Sequence, residues 1–340
     1  MTRDEVPFAQ ATASREPSAF TRRPAQQSIA FVMSPALGDT LNLLVIAHNL
    51  ARAGRQVQVF GNHANALAAW LPGMSVAPAL RASEARDVLA RYATVVQMHR
   101  DRPCADLQEW HPGFIHLHDV EYAKNGECMA ARFAAFAARH FGLRDVVVSN
   151  GMRAPAGLVF RRHSTRVALH PEASSDDKRW TRTRFVGLAR HLARNGFEAQ
   201  FTLETSEKPH WDSLGILHAL PPLRHFADTS ALAAWLYESG WFIGNDSGVG
   251  HLASSLGVPT LTVFRRRRIA QRWRPGFAAG AVVVPPWWIP TAGLKERWWR
   301  ESISVRRVAA AFESLRSRVE ATPESAAQIA TQAAIRITPT

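Results

Sequence analysis

Short apolar runs alternate along this chain with longer stretches in which apolar residues recur every three or four positions. Ser28–Met33 (SIAFVM) is an unbroken apolar run ending at a Ser-Pro turn, the pattern of a buried strand. From Asp39 onward, Leu43, Leu44, Ala47 and Leu50 fall on one helical face. Gln56–Phe60 alternates and predicts a second strand; Ala93–Met98, Phe114–Leu117 and Val146–Ser149 are further candidates. Met129–Phe141, rich in Ala and Phe, predicts a buried helix. Asn150–Arg162 holds two glycines, a proline and three arginines, and reads as a connection. A second series follows, with strands at Val167–His170, Ala199–Leu203, Trp241–Ile243 and Thr260–Phe264. Helices are predicted at Thr181–Asn195, closed by Gly196, and at Ser230–Leu236 and Gly248–Leu256. Val305, Val308, Phe312, Leu315 and Val319 mark an amphipathic C-terminal helix. Strands alternating with helices predict a mostly parallel α/β architecture.

Its 340 residues suit two such domains, 28–150 and 151–320. The C-terminal helix could pack back on the first. A polar arm, 1–27, carries Arg3, Arg15, Arg22 and Arg23, and a polar tail covers 321–340. No apolar run reaches the roughly 18–20 residues that cross a bilayer, and nothing in the arm reads as a signal peptide, so a cytoplasmic location is expected. Cys104 and Cys128 have neither disulfide-framework nor metal-type spacing and read as two plain thiols. The formal net charge of +13 implies an anionic partner: nucleic acid, a membrane surface, a phosphorylated glycolipid or a nucleotide sugar. No nucleic-acid motif accompanies the charge.

Ligands of such folds sit at the carboxyl ends of strands, often in the cleft between domains. Three segments lie there. In Leu37-Gly38-Asp39-Thr40, Asp39 is either a helix N-cap or a general base, and Gly38 lets backbone approach a ligand. In His170–Trp180, Ser174, Ser175 and Lys178 make a candidate diphosphate site. There Asp176 and Asp177 could cap the helix or hold Lys178 and Arg179 while the site is empty; a solvated turn is the plain alternative. In Trp241–Phe264, Asp246 and Ser247 are candidate caps, Gly248 and Gly250 leave first-turn amides open to an anion, and His251 faces either ligand or core.

Together, D-S-G-V-G-H-L-A-S-S-L-G-V-P-T, D-K-R-W and G-D-T-L resemble glycosyltransferase family 9, the lipopolysaccharide heptosyltransferases and relatives, over roughly Ile29 to Val319. The resemblance implies a GT-B fold, two Rossmann-like domains facing across a cleft, and inverting transfer without a metal or cofactor. It implies Asp39 as the base, Lys178 with Ser174 on the diphosphate, and Asp246 on the donor sugar. Ser247 and Gly248 would hold phosphate, and Glu204 or Glu207 the ribose or base. The donor would be a nucleotide diphosphate sugar, ADP-heptose among the candidates. The acceptor would be an anionic glycolipid or glycan of lipopolysaccharide type, reached in contact with the inner membrane face. An epimerase-like enzyme or a degenerate nucleotide-sugar binder on the same fold is the alternative. Two departures fall near the substrates: Asn42 stands where the family often has His, and Phe264 is followed by Arg265–Arg268 instead of Gly and a small hydroxyl residue. Gly38, Thr40, Asn42, Arg265 and Arg266 are therefore candidate acceptor or cleft contacts.

The run Arg265–Arg268, with Arg272 and Arg274 beyond, could grip a donor diphosphate, a phosphorylated acceptor or a membrane leaflet, or form a solvated loop. Trp287, Trp288, Trp298 and Trp299 bracket Lys295, Arg297 and Arg300, which suits a membrane interface, a sugar platform or domain packing. His116 and His118, with Asp119, alternate onto one strand face, as a metal pair or as packing residues.

Overall fold

A computed structural model describes residues 28–122, 126–203, 211, 223–286 and 298–321. The first half runs β1 (Ser28–Val32), α1 (Leu37–Arg52), β2 (Gln56–Phe60), α2 (Asn62–Ala66), β3 (Ser75–Ala77), α3 (Ala82–Leu89), β4 (Thr94–Gln97), α4 (Leu107–Trp110), β5 (Phe114–His116), α5 (His118–Tyr122) and α6 (Met129–Phe141). The second runs β6 (His163–His170), α7 (Arg182–Arg194), β7 (Glu198–Thr202), β8 (Leu223–Arg224), α8 (Thr229–Tyr237), β9 (Ser239–Asn245), α9 (Gly248–Ser255), β10 (Thr260–Val263), α10 (Arg267–Trp273), β11 (Gly280–Val283) and α11 (Val305–Glu320).

The strands form two sheets, ordered β3-β2-β1-β4-β5 and β11-β10-β9-β6-β7-β8, and every pairing is parallel. The order in which strands are added reverses at one place in each sheet, between β1 and β4 in the first and between β6 and β9 in the second. Loops diverge there to opposite faces and leave a crevice. Strands covered on both faces read as continuous apolar runs, and β9 is buried along its whole length.

The two halves share a core. Leu41, Leu44 and Ala47 of α1 belong to one apolar cluster with Leu252 and Ala253 of α9, Leu236 of α8 and Phe242 of β9. Polar ties reinforce the seam: Asn150 Nδ2 donates to Leu41 O (3.3 Å) and Ser255 Oγ (2.9 Å), and Trp70 Nε1 donates to Ser230 Oγ (3.0 Å). In the connection, Gly151 has φ +80°, and a Cβ there would lie 2.5 Å from the His48 ring, so only glycine fits.

Three expectations change. Val146–Ser149 is no strand: Asn49 Nδ2 donates to Val147 O (2.8 Å) and Val147 N donates to Asn49 Oδ1 (2.7 Å). One side-chain amide thus makes the bonds a neighbouring strand would have made, while Val146 and Val148 stay buried. The helix α11 does not pack back on the first domain. Val308, Phe312 and Leu315 join Phe185 and Trp241 in the core of the second, because periodicity gives the apolar face and not its partner. The arginine run is not a loop throughout, since α10 starts at Arg267 with Arg266 as its N-cap. The arm, the tail, Trp287, Trp288, Lys295 and Arg297 lie outside the described residues. No described helix is long and apolar enough to cross a membrane.

Candidate functional site

At the first sheet's switch point, the loop after β1 presents Asp39. The N-cap of α1 is Ala36, so Asp39 is not a cap but lies in the first helical turn. Its Oδ2 accepts from Ser34 Oγ (2.9 Å) and lies 3.4 Å from His99 Nε2. His99 follows β4, the other strand of the switch point, and its Nδ1 lies 3.9 Å from Oε2 of the buried Glu121. Sequence reading missed His99. Its signal is a position just past a strand, which gains meaning only once β4 is known to lie beside β1.

The neighbouring candidates shape this turn from within. Thr40 is buried, its hydroxyl donating to Ser34 O (2.9 Å). Asn42 is buried, its Nδ2 donating to Gly38 O (2.8 Å) and facing His251 Nδ1 (3.3 Å). A Cβ on Gly38 would meet His251 Cδ2 at 3.1 Å. Thr40 and Asn42, offered by the sequence as acceptor or cleft contacts, turn inward here, and Gly38 lies against His251 where the helices meet.

At the second switch point, the loop after β6 presents Lys178 and the loop after β9 presents Asp246, with Nζ 3.6 Å from Oδ2. Two buried side chains set these loops. Asn245 Oδ1 accepts from Trp180 N (3.0 Å) while its Nδ2 donates to Pro171 O (2.6 Å). Glu172, which sequence reading passed over, takes Arg179 Nε (2.9 Å), Arg182 Nε (2.8 Å) and Trp211 Nε1 (2.8 Å). The acidic pair caps no helix: Asp176 engages Arg300 (2.9 Å) and Arg179 (3.8 Å), and Asp177 engages Arg265 and Ser175. Ser174 is exposed at the loop's edge.

Burial pushes the Asp246 carboxyl above its ordinary range; Lys178 opposes this, and Asp39 across the domain seam adds to it. Asp39 and Asp246 therefore act on each other across the contact where Gly38 meets Gly248. Ser247 is the N-cap of α9 but makes no side-chain cap bond, and its Oγ is enclosed without a hydrogen-bond partner. Gly248 does not lie open to a ligand on its Cα side: a Cβ would sit 2.8 Å from Leu37 Cβ and 3.0 Å from Gly38 N. A Cβ on Gly250 would meet Phe242 at 3.3 Å. Gly248 lets the first turns of α1 and α9 meet, and Gly250 lets α9 lie close on Phe242 of β9. His251 faces the core; burial lowers its pKa to about 4, and its ring is engaged by Asn42 and the Trp273 backbone, so the imidazole is not available to a ligand.

Beside α9, at the carboxyl ends of β6 and β7, lies a cavity of about 270 Å³ lined by His170, Thr202, Leu203, Phe226, Leu232 and Val249. Glu204 and Glu207, next along the chain, fall outside the described residues. A cavity of about 630 Å³ near Arg161 and Trp241 lies at the other end of the second sheet. Trp299 is buried and Trp298 is 51% exposed, so the two do not form one platform. His116 ends β5 and His118 opens α5, so they share no strand face, and among the described residues no cluster of three metal-ligating groups exists.

Residues 148–280 match the profile of glycosyltransferase family 9 (heptosyltransferase). No curated protein matches in sequence. Among solved structures, E. coli ADP-heptose lps heptosyltransferase II superposes with a TM-score of 0.64 at 16% identity, over 86% of this chain and 99% of that one. A family 9 glycosyl transferase from Veillonella parvula gives 0.65 at 15%, over 86% and 98%. E. coli heptosyltransferase WaaC with ADP gives 0.62 at 13%, over 85% and 99%. With two parallel Rossmann-like domains, the chain has the GT-B fold of these glycosyltransferases, and its residues 148–280 match the family 9 (heptosyltransferase) model.

Proposed function

We propose that this chain moves a sugar, heptose or a close relative, from a nucleoside diphosphate donor to a hydroxyl of an anionic glycan or glycolipid, with inversion at the anomeric carbon. The observation that carries the reading is the convergence of Asp39 from one switch point with Lys178 and Asp246 from the other. The nucleoside would occupy the cavity beside Val249, and the diphosphate would lie between Lys178 and the amino end of α9. Charge developing on the leaving diphosphate would be met by Lys178 and that helix end. The donor sugar would then lie at Asp246, with Asp39 across the seam to take the acceptor proton. Oδ2 of Asp39 is held by Ser34 and faced by His99, which orients Oδ1 for that step. Attack from Asp39's side, opposite the diphosphate, inverts the carbon. ADP-heptose and a lipopolysaccharide-type acceptor are the first candidates, since the similar solved enzymes are named for them; the +13 charge suits an acceptor presented at an anionic membrane.

The test is transfer from ADP-heptose to a lipopolysaccharide core acceptor. Asp39→Asn should cut turnover by roughly 10²–10⁴-fold, the usual worth of a general base, with ADP affinity unchanged. Full turnover in that variant removes Asp39 from the base role, and sugar isomerised with no acceptor present makes the chain an epimerase.

A further inference from the structure

Arg265 stands two residues past the end of β10, the strand beside β9, so its loop is the third to reach the second switch point. Its Nη1 donates to the Asp177 carboxylate, and its charge acts on Asp246. Its Nε–H is enclosed with no acceptor, and the Ser247 hydroxyl, one loop away, is enclosed with no partner. Enclosed polar groups are nearly always paired in folded chains, so two orphans in adjacent loops mark where a ligand's oxygens belong. Both can donate a hydrogen, as can Lys178, and the guanidinium edge matches a phosphate's geometry. The neighbouring arginines differ: Arg266, Arg267 and Arg268 are exposed.

Asp177 presents its oxygens to Arg265 as a phosphate would. Its side chain is 52% exposed, so it can swing clear. Its carboxyl lies below the ordinary range, through the Ser175 hydroxyl first and with Arg265 among the further causes, so it is anionic at neutral pH.

We propose that Arg265 is a second cation of the diphosphate site and that Asp177 holds its place until the donor's phosphates displace it. This rests on the donor reading above. It assigns the first residue of the arginine run to the donor, not the acceptor, and gives the loop a carboxylate that competes with substrate.

The experiment is calorimetric titration of the full chain with ADP, UDP, GDP, CDP and inorganic pyrophosphate. Arg265→Gln should weaken the preferred diphosphate by about 10-fold or more, the loss of a charge-assisted bidentate contact, and Arg265→Lys should restore part of it. Asp177→Asn should tighten binding several-fold, most at low salt. In the double variant the Asp177 gain should vanish, because its target is gone. Thermal midpoints of all variants verify folding. Arg265→Gln binding within about two-fold of the parent, or Asp177→Asn weakening binding in both backgrounds, overturns the proposal and leaves the donor reading intact. A parent chain that binds none of the nucleoside diphosphates overturns both. Pyrophosphate bound as tightly as the nucleotides, with the same dependence on Arg265, supports the anion site and shows that the nucleoside adds no affinity.

Discussion

One buried and one partly buried histidine at the domain seam should make this chain lose stability in mild acid. His48 lies under the connection at Gly151, and His251 lies under Gly38; burial lowers each from 6.5 to about 4. Arg52 and Arg153 add to the effect at His48, whereas Asp39 opposes it at His251. The folded state holds both rings neutral, while the unfolded chain protonates them near 6.5. Their contribution is therefore whole above pH 6.5 and is lost as pH falls toward about 4. A pKa unit corresponds to about 1.4 kcal/mol, so each ring accounts for about 3 kcal/mol across that window. Two such losses compare with a total stability of roughly 5–15 kcal/mol. Asp246 works the other way: its raised carboxyl binds a proton in the folded state above 3.8, so acidification favours folding at that group. Comparing variants separates the terms. Urea unfolding from about pH 7.5 to 4.5 should show the midpoint falling with pH, and His251→Gln should remove about half of the slope. A midpoint constant over that range, or a slope unchanged in both His48→Gln and His251→Gln, would refute the assignment.

Other perturbations test the seam and the loops. Gly248→Ala places a methyl 2.8 Å from Leu37 Cβ and should lower stability by about 1–3 kcal/mol, read as a drop in thermal midpoint. Asn49→Ala strands the Val147 N–H and C=O in a buried segment and should cost about 1–3 kcal/mol in urea unfolding. Glu172→Gln removes the charge shared by Arg179 and Arg182; it should destabilise the chain by roughly 3 kcal/mol and weaken nucleotide binding, because the Lys178 loop loses its anchor. Asp246→Asn relieves a buried carboxylate that faces Asp39; it should raise the thermal midpoint near neutral pH while abolishing transfer, and a lowered midpoint would contradict that reading.

The central strands β1, β4, β9 and β10 and the helices α6 and α7 were legible from their apolar runs and periodicity, whereas the edge strands β3, β8 and β11 and the short helices α2 to α5 left no pattern that the sequence reading named. Val146–Ser149 misled because its valines are buried as a strand's would be, and only the partner, an asparagine about a hundred residues earlier, tells the two apart. The loops carrying Asp39, Lys178 and Asp246 were legible from their place after strands. What each side chain does there was not. Thr40, Asn42 and His251 read as ligand contacts because the sequence cannot show that two helices meet at those residues. Glu172 and His99 were invisible for the converse reason: their partners come from other loops, and no local pattern announces a buried carboxylate holding two arginines or an imidazole facing Asp39.

The meeting of α1 and α9 also accounts for how the site tolerates its own acids. Asp39 lies in the first turn of α1, and Asp246 stands just before α9, so each carboxylate is at a helix amino end, which carries roughly half a positive charge. The absence of side chains at Gly38 and Gly248 brings those two ends together. The same contact that sets the carboxylates against each other thus supplies partial charge that offsets their repulsion, alongside Lys178. The G-D and D-S-G signatures consequently encode one feature and not two: the glycine makes the interdomain contact, and the neighbouring acid faces the cleft that the contact creates. A larger residue at either glycine would move an acid away from the opposite domain, so packing at the seam and the geometry of the reacting groups must change together.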